Sequence, residues 1–128
     1  LKYEITQMLK QNDKGAIVNT ASISGLVGDM DMCAYNASKH GVNGLTKGAA
    51  VEYSRKGIRV NSVCPGVIQT PLVERLVSKG AQSAADLGPM GRMAKPEEIG
   101  EVVVWLCSDA ASFVIGHTMA ADGGFVAE

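Results

Sequence analysis

Apolar side chains recur along the chain with two different periods. Leu1, Ile5, Met8 and Leu9 stand at offsets 0, 4, 7 and 8, the spacing of one helix face, so residues 1–11 are expected to be an amphipathic helix. Asn12-Asp13-Lys14-Gly15 then carries stop and turn chemistry. Ala16-Ile17-Val18-Asn19-Thr20 is apolar, rich in β-branched residues and too short for a helix, which predicts a buried strand. A helical pattern returns from Met32 to about Ser54, where the small residues Ala37, Gly41, Gly44, Gly48 and Ala49 suit close packing against another helix or a cofactor. Gly57 ends the following turn, and Ile58 to Cys64 predicts a second buried strand, stopped by Pro65-Gly66.

Residues 71–95 form the least regular stretch, with Gly80, Gly88, Pro89 and Gly91 interrupting short helical patches. A connection of that length inside one domain predicts a lid or a binding loop. Pro96 suits the first position of a helix, with Glu97 and Glu98 in its positive first turn. Ile99, Val102, Val103 and Leu106, at offsets 0, 3, 4 and 7, supply its expected buried stripe. A last strand, about Thr118 to Ala121, runs into a turn at Asp122-Gly123-Gly124. Strands alternating with helices imply parallel pairing and right-handed crossovers, an α/β layer architecture.

A length of 128 residues suits one domain, and 46% hydrophobic with 20% charged residues is a globular composition. The formal charge of −1 removes the electrostatic case for a nucleic-acid binder. No uninterrupted apolar run approaches the ~20 residues a bilayer crossing needs. The amino terminus, Leu1-Lys2-Tyr3-Glu4, has neither a signal-peptide pattern nor an initiator Met, so the chain is expected to begin inside a longer protein. Cys33, Cys64 and Cys107 are odd in number and far apart, which fits reduced thiols in a cytoplasmic protein better than a disulfide framework or a metal knuckle. His117 has no Cys or carboxylate at ligand spacing, so no metal is expected.

Chemistry concentrates around Tyr35-Asn36-Ala37-Ser38-Lys39. Tyr35 and Lys39 stand at i and i+4 near the start of the long helix and share a face. A free phenol, with a pKa of about 10, is a poor base at neutral pH, and a neighbouring ammonium favours its phenolate. The first strand ends in Asn19-Thr20-Ala21-Ser22-Ile23-Ser24-Gly25, which places Ser22 just beyond its carboxyl end. Open parallel sheets bind ligands outside those ends. Pro65-Gly66-Val67-Ile68-Gln69-Thr70-Pro71 follows the next strand at the same edge.

The combined set resembles the short-chain dehydrogenases/reductases. It comprises Asn19-Thr20-Ala21-Ser22-x-x-Gly25, Tyr35-x-x-x-Lys39, Arg59-Val60-Asn61-x-Val63-x-Pro65-Gly66 and Thr70-Pro71. Gly91-Arg92, Pro96-Glu97-Glu98-Ile99 and Gly116-x-Thr118-x-x-x-Asp122-Gly123-Gly124 complete it, in consistent order from end to end. The resemblance implies the carboxyl-side half of a doubly wound Rossmann-like sheet, three strands with flanking helices in a single partial domain over 1–128. It implies hydride transfer between NAD or NADP and an alcohol or ketone, with Tyr35 as general acid/base. Lys39 would favour the phenolate and hold the nicotinamide ribose, and Ser22 would bind the substrate oxygen. Tyr35, Lys39, Pro65, Gly66, Val67, Ile68 and Thr70 would form the nicotinamide-binding set, and 71–95 the substrate lid.

The family's glycine-rich TGxxxGxG turn, its NNAG segment and its helical catalytic Asn are expected upstream of Leu1, so the resemblance implies that this chain is a truncated product or fragment. The resemblance also implies a homo-oligomer, a dimer or tetramer, with no membrane or nucleic-acid partner. The alternative is a non-enzymatic remnant that acts as an oligomerisation or interaction module through the helix at 1–11, the long helix near 33–54 and an exposed strand edge. His40, Asp29 and Asp31 read as surface or packing residues, Ser24 and Ser38 as substrate neighbours or simple loop and helix residues, and Met30, Met32, Met90 and Met93 as the lining of an apolar pocket or plain core and lid packing.

Overall fold

The computed structural model of the protein describes residues 1–11, 15–78 and 88–127, with 76 and 77 as backbone only. Its helices are α1 (Lys2–Met8), α2 (Cys33–Tyr53), α3 (Pro71–Ser78) and α4 (Pro96–Cys107), and its strands are β1 (Gly15–Thr20), β2 (Ile58–Pro65) and β3 (Thr118–Ala121). The strands form one sheet in the order β1-β2-β3, and both pairs are parallel. This is the α/β architecture that the alternating pattern predicts. All three strands therefore present their carboxyl ends at one edge, with Thr20 opposite Val63 and Pro65 opposite Ala121.

The central strand is buried on both faces, which is why it reads as a continuous apolar run. Side chains alternate across it. Ile58 and Val60 join Ile5, Ala49 and Ala50 in the core beneath α1 and α2. Val60, Val63 and Cys64 are fully buried, and each buried Val or Ile contributes about 1.5–3 kcal/mol. Arg59 points the other way: its guanidinium donates to the carbonyls of Leu106 and Ser108 at 2.7 and 3.0 Å, satisfying the end of α4.

α2 is long because its sequence holds strong helix formers without a proline, and it packs with Asn43, Thr46, Ala49 and Ala50 inward. A short 3-10 turn, Ser54–Lys56, closes it, and Gly57 at φ 78° takes the left-handed position that leads into β2. α4 starts at Pro96 as expected, with the Glu98 carboxylate accepting from the Lys95 backbone N–H at 2.8 Å. β3 is placed by Asn61, which is buried. Its amide donates to Val114 O at 2.9 Å and accepts from His117 N at 3.0 Å, holding the turn before the strand.

Among the short helical patches expected over 71–95, residues 71–78 form a regular helix, because Thr70 caps the start: its hydroxyl accepts from Val73 N at 3.3 Å and its carbonyl from Glu74 N at 2.9 Å. Residues 79–87 of that stretch lie outside the described residues. Two expectations need correction. The α4 stripe is only half-buried at Ile99, Val102 and Val103, with Leu106 alone fully buried, because three strands give that face limited cover. Gly41, Gly44 and Gly48 face open space, as a side-chain carbon built at any of them meets nothing. Among the described residues they pack against no helix.

Candidate active site

Beyond the end of β1 the chain stays tied to β2 through Ala21 N, which donates to Val63 O at 2.8 Å. Ser22 then caps the 3-10 turn Ile23–Gly25. Its hydroxyl accepts from Ser24 N at 3.2 Å and lies 3.3 Å from the Ser24 hydroxyl. That turn seats directly on α2. A side-chain carbon at Gly25 would stand 2.7 Å from Lys39 O and 2.8 Å from the Asn43 amide nitrogen, so only glycine permits this approach. The loop into α2 is held by Asn36, which donates to Asp29 O at 3.2 Å.

Tyr35 and Lys39 occupy successive turns of α2. The Lys39 ammonium lies 5.5 Å from the centroid of the Tyr35 ring and donates to Thr20 O at 3.3 Å. One cation thus joins the phenol to the strand end from which Ser22 follows two residues later. Tyr35 is 41% exposed, so an incoming molecule can reach it. An ammonium has three donors, and the bond to Thr20 O uses one. The other two donors have the chemistry to hydrogen-bond vicinal hydroxyls such as those of a ribose.

A second feature opens beside the ends of β2 and β3. Gly66 packs so tightly that a side-chain carbon there would lie 2.8 Å from the Asp122 Cα. Val67 and Gln69 pair in parallel fashion with Ala94, through bonds of 3.0 and 2.9 Å. Met90 N donates to Gly123 O at 3.1 Å. Together these segments line a cleft of about 190 Å³ that includes Gly66, Val67, Ile68, Met90, Arg92 and Asp122. Ser22, Tyr35 and Lys39 are not among its lining residues. Pro65 ends β2 and Thr70 caps α3, so neither lines it. At its rim Arg92 forms a two-pronged bond to Glu98, with both distances 2.8 Å. That guanidinium, followed by the Lys95 backbone N–H, holds the Glu98 carboxyl down at about 2.

The buried polar layer beneath Ser22 escaped the sequence reading. Asn43 donates to Gly25 O at 2.9 Å and accepts from the Ser62 hydroxyl at 2.7 Å, and Asn19 donates to the Thr46 hydroxyl at 2.9 Å. Polar residues at inward helix and strand positions were the available signal. His40 is exposed and bonds Asn36 O, and the hydroxyl of Ser38 donates to Tyr35 O at 2.7 Å. Cys33 and Cys107 are exposed and Cys64 buried, all three as free thiols. Among the described residues no helix is long and apolar enough to cross a membrane.

A family model described as enoyl-(acyl carrier protein) reductase matches residues 2–126. The chain belongs to the short-chain dehydrogenase/reductase family. It is 48% identical over 128 residues to a cyclohexanol dehydrogenase of an Acinetobacter species, covering 100% of this chain and 49% of that one. It is 46% identical over 130 residues to a 2,5-dichloro-2,5-cyclohexadiene-1,4-diol dehydrogenase of Sphingobium indicum, covering 99% and 52%. The solved structure of ElxO with NADP bound superposes with a TM-score of 0.89 at 36% identity, over 99% of this chain and 52% of that one. This short-chain dehydrogenase/reductase chain therefore spans about half the length of the relatives it matches. Its three parallel strands correspond to part of a Rossmann-like sheet.

Proposed function

We propose that this chain carries the proton-transfer half of a nicotinamide-dependent oxidation of a secondary alcohol, or of the reverse ketone reduction. The observation that carries this reading is the placement of the Lys39 ammonium against both the Tyr35 ring and the end of β1. Tyr35 is the general acid/base, Ser22 orients the substrate oxygen, and Lys39 supplies the positive charge and binds the ribose. Tyr35, Lys39, Pro65, Gly66, Val67, Ile68 and Thr70 hold the nicotinamide end of NAD or NADP. When bound, that cofactor would supply the hydride acceptor or donor for the carbinol carbon. As the carbinol C–H bond breaks, the Tyr35 oxygen takes the hydroxyl proton and Ser22 keeps its hydrogen bond to the substrate oxygen. In reduction the same proton returns from Tyr35 to the nascent alkoxide.

The substrate class we propose is an alicyclic secondary alcohol. Two similar proteins are named for six-membered carbocycles, and the apolar Met30 and Met32, in the segment that leads into the helix bearing Tyr35, are exposed. NADP is the cofactor to test first, since the structurally similar ElxO binds it. Segment 71–95, whose end is pinned beside Val67 and Gln69, is the substrate lid. The open glycine face of α2, with Leu45 and Val51 exposed alongside, supports packing against a second copy, and the free thiols support a cytoplasmic setting.

The test is turnover of an alicyclic alcohol by the complete protein. Tyr35→Phe should lower kcat by roughly 10²–10⁴-fold, and near-normal turnover overturns the mechanism. The α2 face also suits the second reading, an oligomerisation module without catalysis. Light scattering with cofactor titration separates the two: an oligomer that does not bind either dinucleotide favours the module.

A further inference from the structure

Asn43 lies one helical turn beyond Lys39, on the inward side of α2, and is 4% exposed. Its amide joins three elements. The nitrogen donates to Gly25 O, at the end of the turn that Ser22 caps, and the oxygen accepts from the Ser62 hydroxyl in the middle of β2. The Cys64 sulfur lies 3.6 Å from the nitrogen. The turn itself is internally closed, as Gly25 N donates to Ser22 O at 2.9 Å. A displacement of Gly25 therefore carries Ser22 with it. Gly25 has no alternative seat, because its Cα side already abuts Lys39 O and the Asn43 amide.

From this we infer that Asn43 is a positioning residue: it locks the Ser22 turn to the helix that bears Tyr35 and Lys39, and so sets the distance between the substrate-binding hydroxyl and the phenol. The inference rests on the proposed function. A buried amide that served packing alone would have no reason to act through Ser22. One that sets the site geometry must lose its effect once Ser22 is gone. Buried polar networks fully satisfied in this way rigidify the groups they join. A displacement near 1 Å at a reacting centre costs about 10²-fold in rate.

The experiment is a double-mutant cycle on the complete protein, with kcat, cofactor Kd and unfolding midpoint measured for each variant. Asn43→Ala should lower kcat about tenfold or more, though no further than Ser22→Ala does, with cofactor Kd unchanged. In the Ser22→Ala background the same substitution should change kcat less than about twofold, while the unfolding midpoint falls equally in both backgrounds. Equal kcat losses in the two backgrounds overturn the inference and leave the proposed function standing. If instead Ser22→Ala and Tyr35→Phe both retain near-normal turnover, the proposed function itself falls. Should Asn43→Ala not fold, Ser62→Ala is read in its place. It removes one support of the amide while leaving the bond to Gly25, and the same pattern at smaller amplitude is expected. Equal losses in both backgrounds again overturn the inference.

Discussion

The Lys39 ammonium stands 5.5 Å from the centre of the Tyr35 ring while its hydrogen bond goes to Thr20 O. That second contact fixes where the charge sits, because the lysine stem is otherwise free to move among rotamers. Lys39→Met removes both the charge and the anchor, and kcat should fall by about 10²-fold or more with a higher KM for the dinucleotide. Lys39→Arg keeps the charge in a different shape and should recover only part of the loss. Steady-state kinetics of the two variants checks this, and equal activity of Lys39→Met and the unaltered protein contradicts it.

Gly25 brings the backbone of the Ser22 turn close against α2. Gly25→Ala places a methyl group 2.7 Å from a carbonyl oxygen in a buried setting, and neither the helix backbone nor the amide can move away cheaply. Overpacking of this kind costs about 1–3 kcal/mol. Denaturant titration should show a lower midpoint with an unchanged slope, together with reduced turnover. An unchanged midpoint would mean that the turn is free to shift.

Local chemistry is what the sequence made legible. Pro96 with two glutamates marks the start of α4, Gly57 marks the end of the turn after α2, and β-branched runs mark β1 and β2. The four-residue spacing of Tyr35 and Lys39 likewise survives translation into space, because a helix carries it intact. Contacts set by topology were hidden. Asn43 meets Gly25 across 18 residues, Arg59 reaches Leu106 across 47, and Asn61 bonds His117 across 56. None of these pairs has a periodic signature. Pro71 starts α3, where its missing N–H costs nothing, but Gly80, Gly88, Pro89 and Gly91 made the whole stretch 71–95 read as irregular, with only short helical patches. The glycines of α2 read as a packing surface, yet among the described residues nothing packs against them.

Arg59 is placed to hold the carboxyl end of α4 against β2. Its two bonds, at 2.7 and 3.0 Å, go to carbonyls at the end of the helix, Leu106 O and Ser108 O, and positive charge suits that end of the helix dipole. Arg59→Ala should destabilise the fold by about 1.5–3 kcal/mol, the range for hydrogen bonds to a charged group. Arg59→Lys offers a point charge without the fork that spans Leu106 O and Ser108 O, so it should recover less than half of the loss. Hydrogen exchange of the α4 amides and the unfolding midpoint test this, and equal stability of all three proteins contradicts it.

The Arg92–Glu98 pair gives the acid limb of stability a definite window. Glu98 is held well below the usual carboxylate range, down to about 2, chiefly by the Arg92 side chain and then by the Lys95 N–H. A carboxyl with a depressed folded pKa binds fewer protons folded than unfolded, so its contribution is complete above the unfolded value. It is lost progressively as pH falls through the folded one. Both side chains are about half exposed, at 50% and 45%, so solvent screens the pair and the gain is modest. The stability difference between the unaltered protein and Arg92→Gln should hold steady near neutral pH, then narrow from about pH 4 towards about pH 2. Carbon-13 NMR of the Glu98 carboxyl should place its titration at the low end of that window. A midpoint near the ordinary glutamate value of about 4.3 would show that the guanidinium does not hold it.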